Sequence, residues 1–193
     1  MNRLTKPSIG FIFVIFMVAC ATKGNDFDRI PNDALVLGKT TIADIVSSYG
    51  TLEFKDVQVN NVVIKQGSYS LTKASSYKDL ISQKIQYFSF NKGVLVGYKY
   101  TNSFPENPTD FDDSLRSQIK QHESTLNDVV RLLGPPTGKA IYPFTVDPDS
   151  TIIKYSYWQV KQRPTRYYNK ELKVTINKED IVTDINYIES GVK

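Results

Sequence analysis

One stretch of this chain is written twice. Gly38-Lys-Thr-Thr-Ile-Ala-Asp-Ile-Val-Ser-Ser-Tyr-Gly50 aligns without a gap on His122-Glu-Ser-Thr-Leu-Asn-Asp-Val-Val-Arg-Leu-Leu-Gly134. Thr41 and Thr125 stand where a helix needs a cap, and Asp44 and Asp128 fall three residues on, where a carboxylate complements free backbone N–H groups. Ile42, Ile45, Val46 and Tyr49 share one helical stripe, as do Leu126, Val129, Val130 and Leu133. Gly50 and Gly134 sit at the helix C-terminus, and Pro135-Pro136 blocks continuation of the second copy.

A second correspondence follows in the same order. Gln86 to Tyr100 and Leu172 to Tyr187 both alternate apolar and polar residues about an Asn-Lys turn, the pattern of a β-hairpin. Two separated matches in one order point to a tandem duplication. Phe111, Leu115 and Ile119 read as a further helix before His122, and Asn32 to Leu37 as its shorter counterpart. Strands are expected at Glu53 to Val59, Val62 to Leu71, Lys84 to Phe90 and Val94 to Thr101. In the second unit they fall at Lys139 to Phe144, Thr151 to Val160, Glu171 to Ile176 and Ile181 to Ile188. The expected fold is α+β: two tandem units, each a helix pair packed on an antiparallel sheet of about four strands. Residues 34–104 form the first unit and 105–193 the second, with Pro105 to Pro108 between them.

The amino terminus reads as an address. Arg3 and Lys6 precede the apolar run Ile9 to Ala19, which is shorter than the roughly 20 residues a spanning helix needs and suits a cleavable signal peptide over residues 1–19. The run ends in Met17-Val18-Ala19-Cys20, which resembles the lipobox of bacterial lipoprotein precursors, with Met17 where Leu is usual. That resemblance implies cleavage before Cys20, a diacylglycerol thioether on its sulfur and an acylated new terminus. Ala21, where Asp would signal retention, implies the outer membrane by the same resemblance. Residues 20–33 contain Gly24, Asn25, Asp26, Pro31 and Asn32 and read as a tether.

Cys20 is the single cysteine of 193 residues. Once acylated it leaves no thiol for a disulfide, a nucleophile or a soft metal site, so the fold must rest on its core. The chain carries +4, and losing Arg3 and Lys6 with the leader leaves +2. That is too little to argue for a nucleic-acid partner. His122 is the single histidine, too few nitrogen ligands for zinc. Asp110, Asp112 and Asp113 do not have calcium-loop spacing and suit a helix start. No nucleophile elbow or phosphate cradle is present, so no catalytic residue, metal or cofactor is expected.

Two features suit binding. Tyr155, Tyr157 and Trp158 lie on one strand, the tyrosines on one face and Trp158 on the other. The segment Lys161 to Lys170 holds four basic residues, Arg163 and Arg166 among them, with Tyr167 and Tyr168 and no acid. Tyr155, Tyr157, Trp158, Arg163, Arg166 and Tyr167 are therefore the candidate partner contacts, and Cys20 is the lipid-attachment site.

The string Thr125-Leu-Asn-Asp-Val-Val-Arg-Leu-Leu-Gly-Pro-Pro136, with the strand ending Tyr155-Ser-Tyr-Trp158 and a final hairpin, resembles the SmpA/OmlA (BamE-like) outer-membrane lipoprotein superfamily. The tandem unit resembles the β-lactamase-inhibitor-protein fold. These resemblances imply a non-enzymatic, lipid-anchored protein-binding module in the outer membrane, facing the periplasm, with envelope proteins as partners. The alternative they leave open is an inhibitor-like module that blocks an envelope hydrolase.

Overall fold

The computed structural model describes residues 22–74, 80–162 and 164–192. Cys20, the signal-like run and Arg163 lie outside them. The strands are β1 (Thr22–Gly24), β2 (Glu53–Val59), β3 (Val62–Ala74), β4 (Leu80–Asn91), β5 (Val94–Asn102), β6 (Gly138–Ala140), β7 (Thr151–Lys161), β8 (Arg166–Ile176) and β9 (Val182–Gly191). Two α-helices, α1 (Ile42–Tyr49) and α2 (Leu126–Leu133), accompany short 3-10 turns at Asn32–Ala34 and Asp113–Gln118.

The repeated sequence builds the same local network twice. Thr41 Oγ1 accepts from Asp44 N at 3.2 Å while the Asp44 carboxylate accepts from Thr41 N at 2.8 Å. Thr125 and Asp128 do the same at 3.2 and 2.9 Å. Reciprocal capping of this kind stabilises a helix start by about 1 kcal/mol. Each helix is then sewn to the turn of its hairpin: Ile42 N donates to Gly93 O, and Leu126 N to Asp180 O. The far ends match too. Gly50 and Gly134 have φ of +93° and +77°, and each carbonyl accepts a tyrosine hydroxyl, from Tyr69 at 2.6 Å and Tyr155 at 2.8 Å.

The expectation of two helix-pair units on separate four-stranded sheets is wrong. Strand makes up 50% of the described residues and helix 15%, and the described strands form one antiparallel sheet in the order β1-β3-β4-β5-β6-β7-β8-β9, with β2 also on β3. β5 pairs with β6 across the proposed unit boundary, and Leu80 and Ile81 of β4 pair with Lys161 and Val160 of β7. The circuit β4-β5-β6-β7 thus closes on itself, giving the sheet a barrel-like curl. The physical reason is strand length. β3 and β4 run 13 and 12 residues, longer than a unit of its own could cover, and long twisted strands curl into closure.

The second helix of each expected pair is also lost. Phe111 and Ile119 need only reach the core, and an extended chain with one 3-10 turn between them delivers both, at 9% and 5% exposure. The core lies on the helix side of the sheet in two clusters. Ile45 and Leu52 pack on Phe88, Phe90, Leu95 and Tyr98, and Val129 packs with Phe111 on Ile153, Tyr155, Leu172 and Val174.

The segment read as a tether is docked instead of free. Thr22 to Gly24 pair with Leu71 to Lys73 as β1. Ile30 is buried, its backbone N–H donating to Gln86 Oε1 at 2.8 Å and its carbonyl accepting from Gln86 Nε2 at 3.1 Å.

Candidate functional site

The helices leave one sheet face uncovered. Alternation along each strand places Ser68, Ser70 and Thr72 of β3, Gln83, Ile85 and Tyr87 of β4, Lys99 and Thr101 of β5, and Ser156 and Trp158 of β7 on that face. A groove runs along it. One recess of about 330 Å³ lies over β2, β3 and β4, and another of about 370 Å³ lies over β4, β5, β7 and β8. They share Gln83, Ile85 and Tyr87, so the groove is continuous. A third recess, of about 620 Å³, opens where residues 144–147 fold over β7, β8 and β9.

Of the sequence-derived contacts, Trp158 lines this groove and Tyr167 stands on the same face, 56% exposed. Arg166 is exposed at the start of β8. Arg163 lies outside the described residues. Tyr155 and Tyr157 must be corrected: they are 1% and 5% exposed and face the helices. The Tyr155 ring packs on Phe111 at 5.9 Å and its hydroxyl holds the end of α2, while Tyr157 packs on Tyr168 at 6.4 Å. Burial pushes the Tyr155 hydroxyl pKa up, as a buried neutral donor requires. These are framework residues.

The basic segment also changes character. β7 and β8 extend to Lys161 and Arg166, leaving a short hairpin end. Lys170, at its far end, is a core cation with a side chain 3% exposed. Its ammonium donates to Asp113 Oδ1 at 2.7 Å and to the Phe111 carbonyl, and pairs with Asp110 at 2.8 Å. Burial works against its charge, but the hydrogen bonds to Asp110 and Asp113 outweigh this and hold its pKa above the ordinary lysine value. The Asp110-Asp112-Asp113 group is therefore a counter-ion for β8 and a 3-10 turn start, where Asp112 caps Ser114 N. Among the described residues no group of three His, Cys, Asp or Glu could hold a metal ion. His122 is a loop residue at φ +64° whose N–H donates to Val182 O.

Sequence reading missed the centre of the face. Lys99, Lys154 and Lys173 gather round Glu171: Lys99 Nζ lies 3.1 Å from Glu171 Oε2, and Lys173 Nζ lies 3.4 Å from Oε1. The Lys154 ammonium makes no hydrogen bond or ion pair among the described residues and sits 4.8 Å from the Phe144 ring centroid. Burial first, and then Lys99 and Lys173, bring its pKa down to about 8 against the pull of Glu171. The cluster was invisible because its members come from three strands whose register the sequence does not state.

This arrangement has a stability consequence. Lys154→Met should raise stability at pH 7 by about 1–3 kcal/mol, since a depressed lysine pKa is a cost on the charged fold. The sign follows from proton counting. Between the folded value near 8 and the unfolded 10.5 the unfolded chain binds more protons, so the wild type gains stability over that window. The advantage of Lys154→Met should therefore shrink from pH 8 to 10.5 in paired chemical-denaturation curves.

No protein-family profile matches the chain, and no curated protein matches it. One solved structure aligns with it, the crystal structure of a "putative beta-lactamase inhibitor protein" from Streptococcus mutans. That protein is 14% identical over 77% of this chain and 82% of its own, with a TM-score of 0.40. A likeness this distant decides neither fold nor function, and no SmpA/OmlA protein emerges beside it.

Proposed function

We propose that this chain is a lipid-anchored envelope protein that docks another protein on its helix-free sheet face. The observation that carries the reading is the face itself. A folded sheet buries one side under its helices and here keeps a continuous groove on the other, furnished with Trp158, Tyr87, Ile85 and an incompletely paired lysine cluster. Tryptophan and tyrosine in such a setting are the residue types that dominate interface energetics. The open groove suits a protein segment better than an enclosed small molecule, and the chemistry to be done is binding.

The anchor rests on the sequence. Acyl chains on Cys20 would retain the protein at a membrane, the outer one if Ala21 is read as above, and raise the local concentration of envelope partners. Because Thr22 opens β1, Ala21 alone separates the lipidated residue from the sheet edge. The groove would then be presented close to the bilayer.

Trp158→Ala tests the face. It should lower partner affinity by about tenfold or more, the loss of an interface hot spot, with little change in thermal midpoint because Trp158 lies outside the two core clusters. The check is recovery of partners by in-cell crosslinking, alongside a melting curve. Unchanged recovery from Trp158→Ala and Tyr87→Ala would overturn the reading. A hydrolase recovered through this face, and silenced by it, would make the module an inhibitor.

A further inference from the structure

The helix-free face holds an arrangement that folding alone does not account for. Lys154 of β7 stands directly across from Lys173 of β8, a like-charge cross-strand pair that costs stability. On the other side Lys154 faces Gly138 of β6, and Gly138 faces Lys99 of β5. One row across four strands thus reads lysine, glycine, lysine, lysine. Gly138 cannot be otherwise, since a Cβ there would come 2.3 Å from the Tyr98 carbonyl oxygen. The row therefore carries no side chain between Lys99 and Lys154, the β5 backbone lying close against Gly138.

The Glu171 carboxylate beside the row is shared by Lys99 and Lys173. Two further groups flank it without a partner. Ser156, 2% exposed and directly opposite Glu171, lines the groove on the Trp158 side, and Thr145, 4% exposed, lines the recess on the Lys173 side. Their hydroxyl oxygens are the buried side-chain polar atoms that lack a hydrogen bond among the described residues. Buried polar groups without partners ask for an explanation at the site they line.

We propose that the lysine row is a seat for a carboxylate-bearing segment of the protein partner, whose acidic side chain pairs with Lys154. The inference rests on the docking reading given above and names the chemistry of what docks. Three ammonium groups gather round the Glu171 carboxylate, while Asp147 and Asp184 line only the recess beyond Lys173, so the positive charge at Lys154 calls for an acidic partner. Phe144, Trp158 and Tyr87 border the row, apolar walls suited to the stem of an Asp or Glu. Residues 144–147 stand over the neighbouring recess. A side chain projecting from a protein can enter there, whereas a flat bilayer surface is held off.

The test uses the full-length protein in dodecyl maltoside micelles, with Trp158, its single tryptophan, as the fluorescent reporter. The probes are N-acetylated, amidated hexaglutamate, the matching hexaglutamine, inorganic phosphate, and vesicles of phosphatidylglycerol. Hexaglutamate should bind and hexaglutamine should not. Lys154→Met, which should fold at least as stably as the wild type, should weaken hexaglutamate binding by tenfold or more. Lys120→Met, at an exposed position on the other side of the fold, should leave it unchanged. Glu171→Gln removes the competing internal carboxylate and should tighten binding several-fold, which a merely structural role would not produce. Equal binding by wild type and Lys154→Met, or preference for phosphate or vesicles over hexaglutamate, would overturn the proposal. If hexaglutamate fails while Trp158→Ala still abolishes partner recovery, the carboxylate seat falls and the docking face stands; if both fail, both fall.

Discussion

Lys170→Met should cost about 3 kcal/mol of stability at pH 7, the low end for removing one partner of a buried ion pair. For a chain of this size that is a fall in thermal midpoint of about 6–12 °C. The side chain is nearly the same volume, so the loss is electrostatic. Asp110 and Asp113 would remain packed at the floor of the helix side, and the Phe111 carbonyl would lose its donor. The segment from Phe111 to Ile119 should loosen with it, because Lys170 makes that segment's polar ties to β8 beside the core packing of Phe111 and Ile119.

The pH dependence distinguishes this from a packing defect. Hydrogen bonding from Lys170 is the largest influence holding the Asp113 carboxyl below its ordinary 3.8. A depressed carboxylate stabilises the fold above the unfolded value and ceases to do so as pH falls through the folded one. Lys170 is shifted upward, so its own contribution is complete below the ordinary lysine value and fades only in strong alkali. The gap between wild type and Lys170→Met should therefore be full from about pH 5 to 9 and narrow below pH 4. A gap that stayed constant down to pH 3 would point to packing instead.

The second large effect concerns place. Cys20→Ser should move the protein from the membrane pellet to the soluble fraction after carbonate washing. Each buried methylene of an acyl chain is worth about 0.8 kcal/mol, so two or three chains hold a protein firmly and none holds it at all. Among the described residues no helix is long and apolar enough to span, so nothing in that part of the chain supplies a helical anchor in reserve. Mass spectrometry of the wild type should find the mature start at Cys20 carrying acyl mass. A mature start elsewhere would remove the anchor from this account and leave the groove untouched.

How far the sequence could be read follows the range of the interactions involved. The capping boxes at Thr41 and Thr125, the glycines that end both helices, and the hairpins about Asn91 and Asn177 are local, and each reads from a handful of neighbouring residues. The joining of the halves is not local. It depends on Gly97 meeting Ala140 and Leu80 meeting Lys161, pairings between strands that look complete in themselves. Three-residue β6 gives almost no signal, yet it closes the circuit.

The candidate site divides in the same way. Alternation correctly put Trp158 on the face opposite Tyr155 and Tyr157, but it cannot say which face the helices take. The capped helix end decided that, since Tyr155 is needed to satisfy Gly134. Lys170 misled for a related reason. In sequence it closes a basic run, while its counter-ions approach from Asp110 and Asp113, 57 or more residues away. The reverse holds for Lys99, Lys154 and Lys173. Each is an unremarked lysine on an alternating strand, and only the strand register reveals that they share a row.

The claim on which the rest depends is that the helix-free face is the working surface. Site-specific photocrosslinking in cells measures it directly, with benzoylphenylalanine placed at Trp158 on the groove and, separately, at Tyr49 on α1 and Arg131 on α2. Discrete protein adducts are expected from position 158, with none from 49 or 131. Adducts from the helix positions together with a silent position 158 would contradict the account.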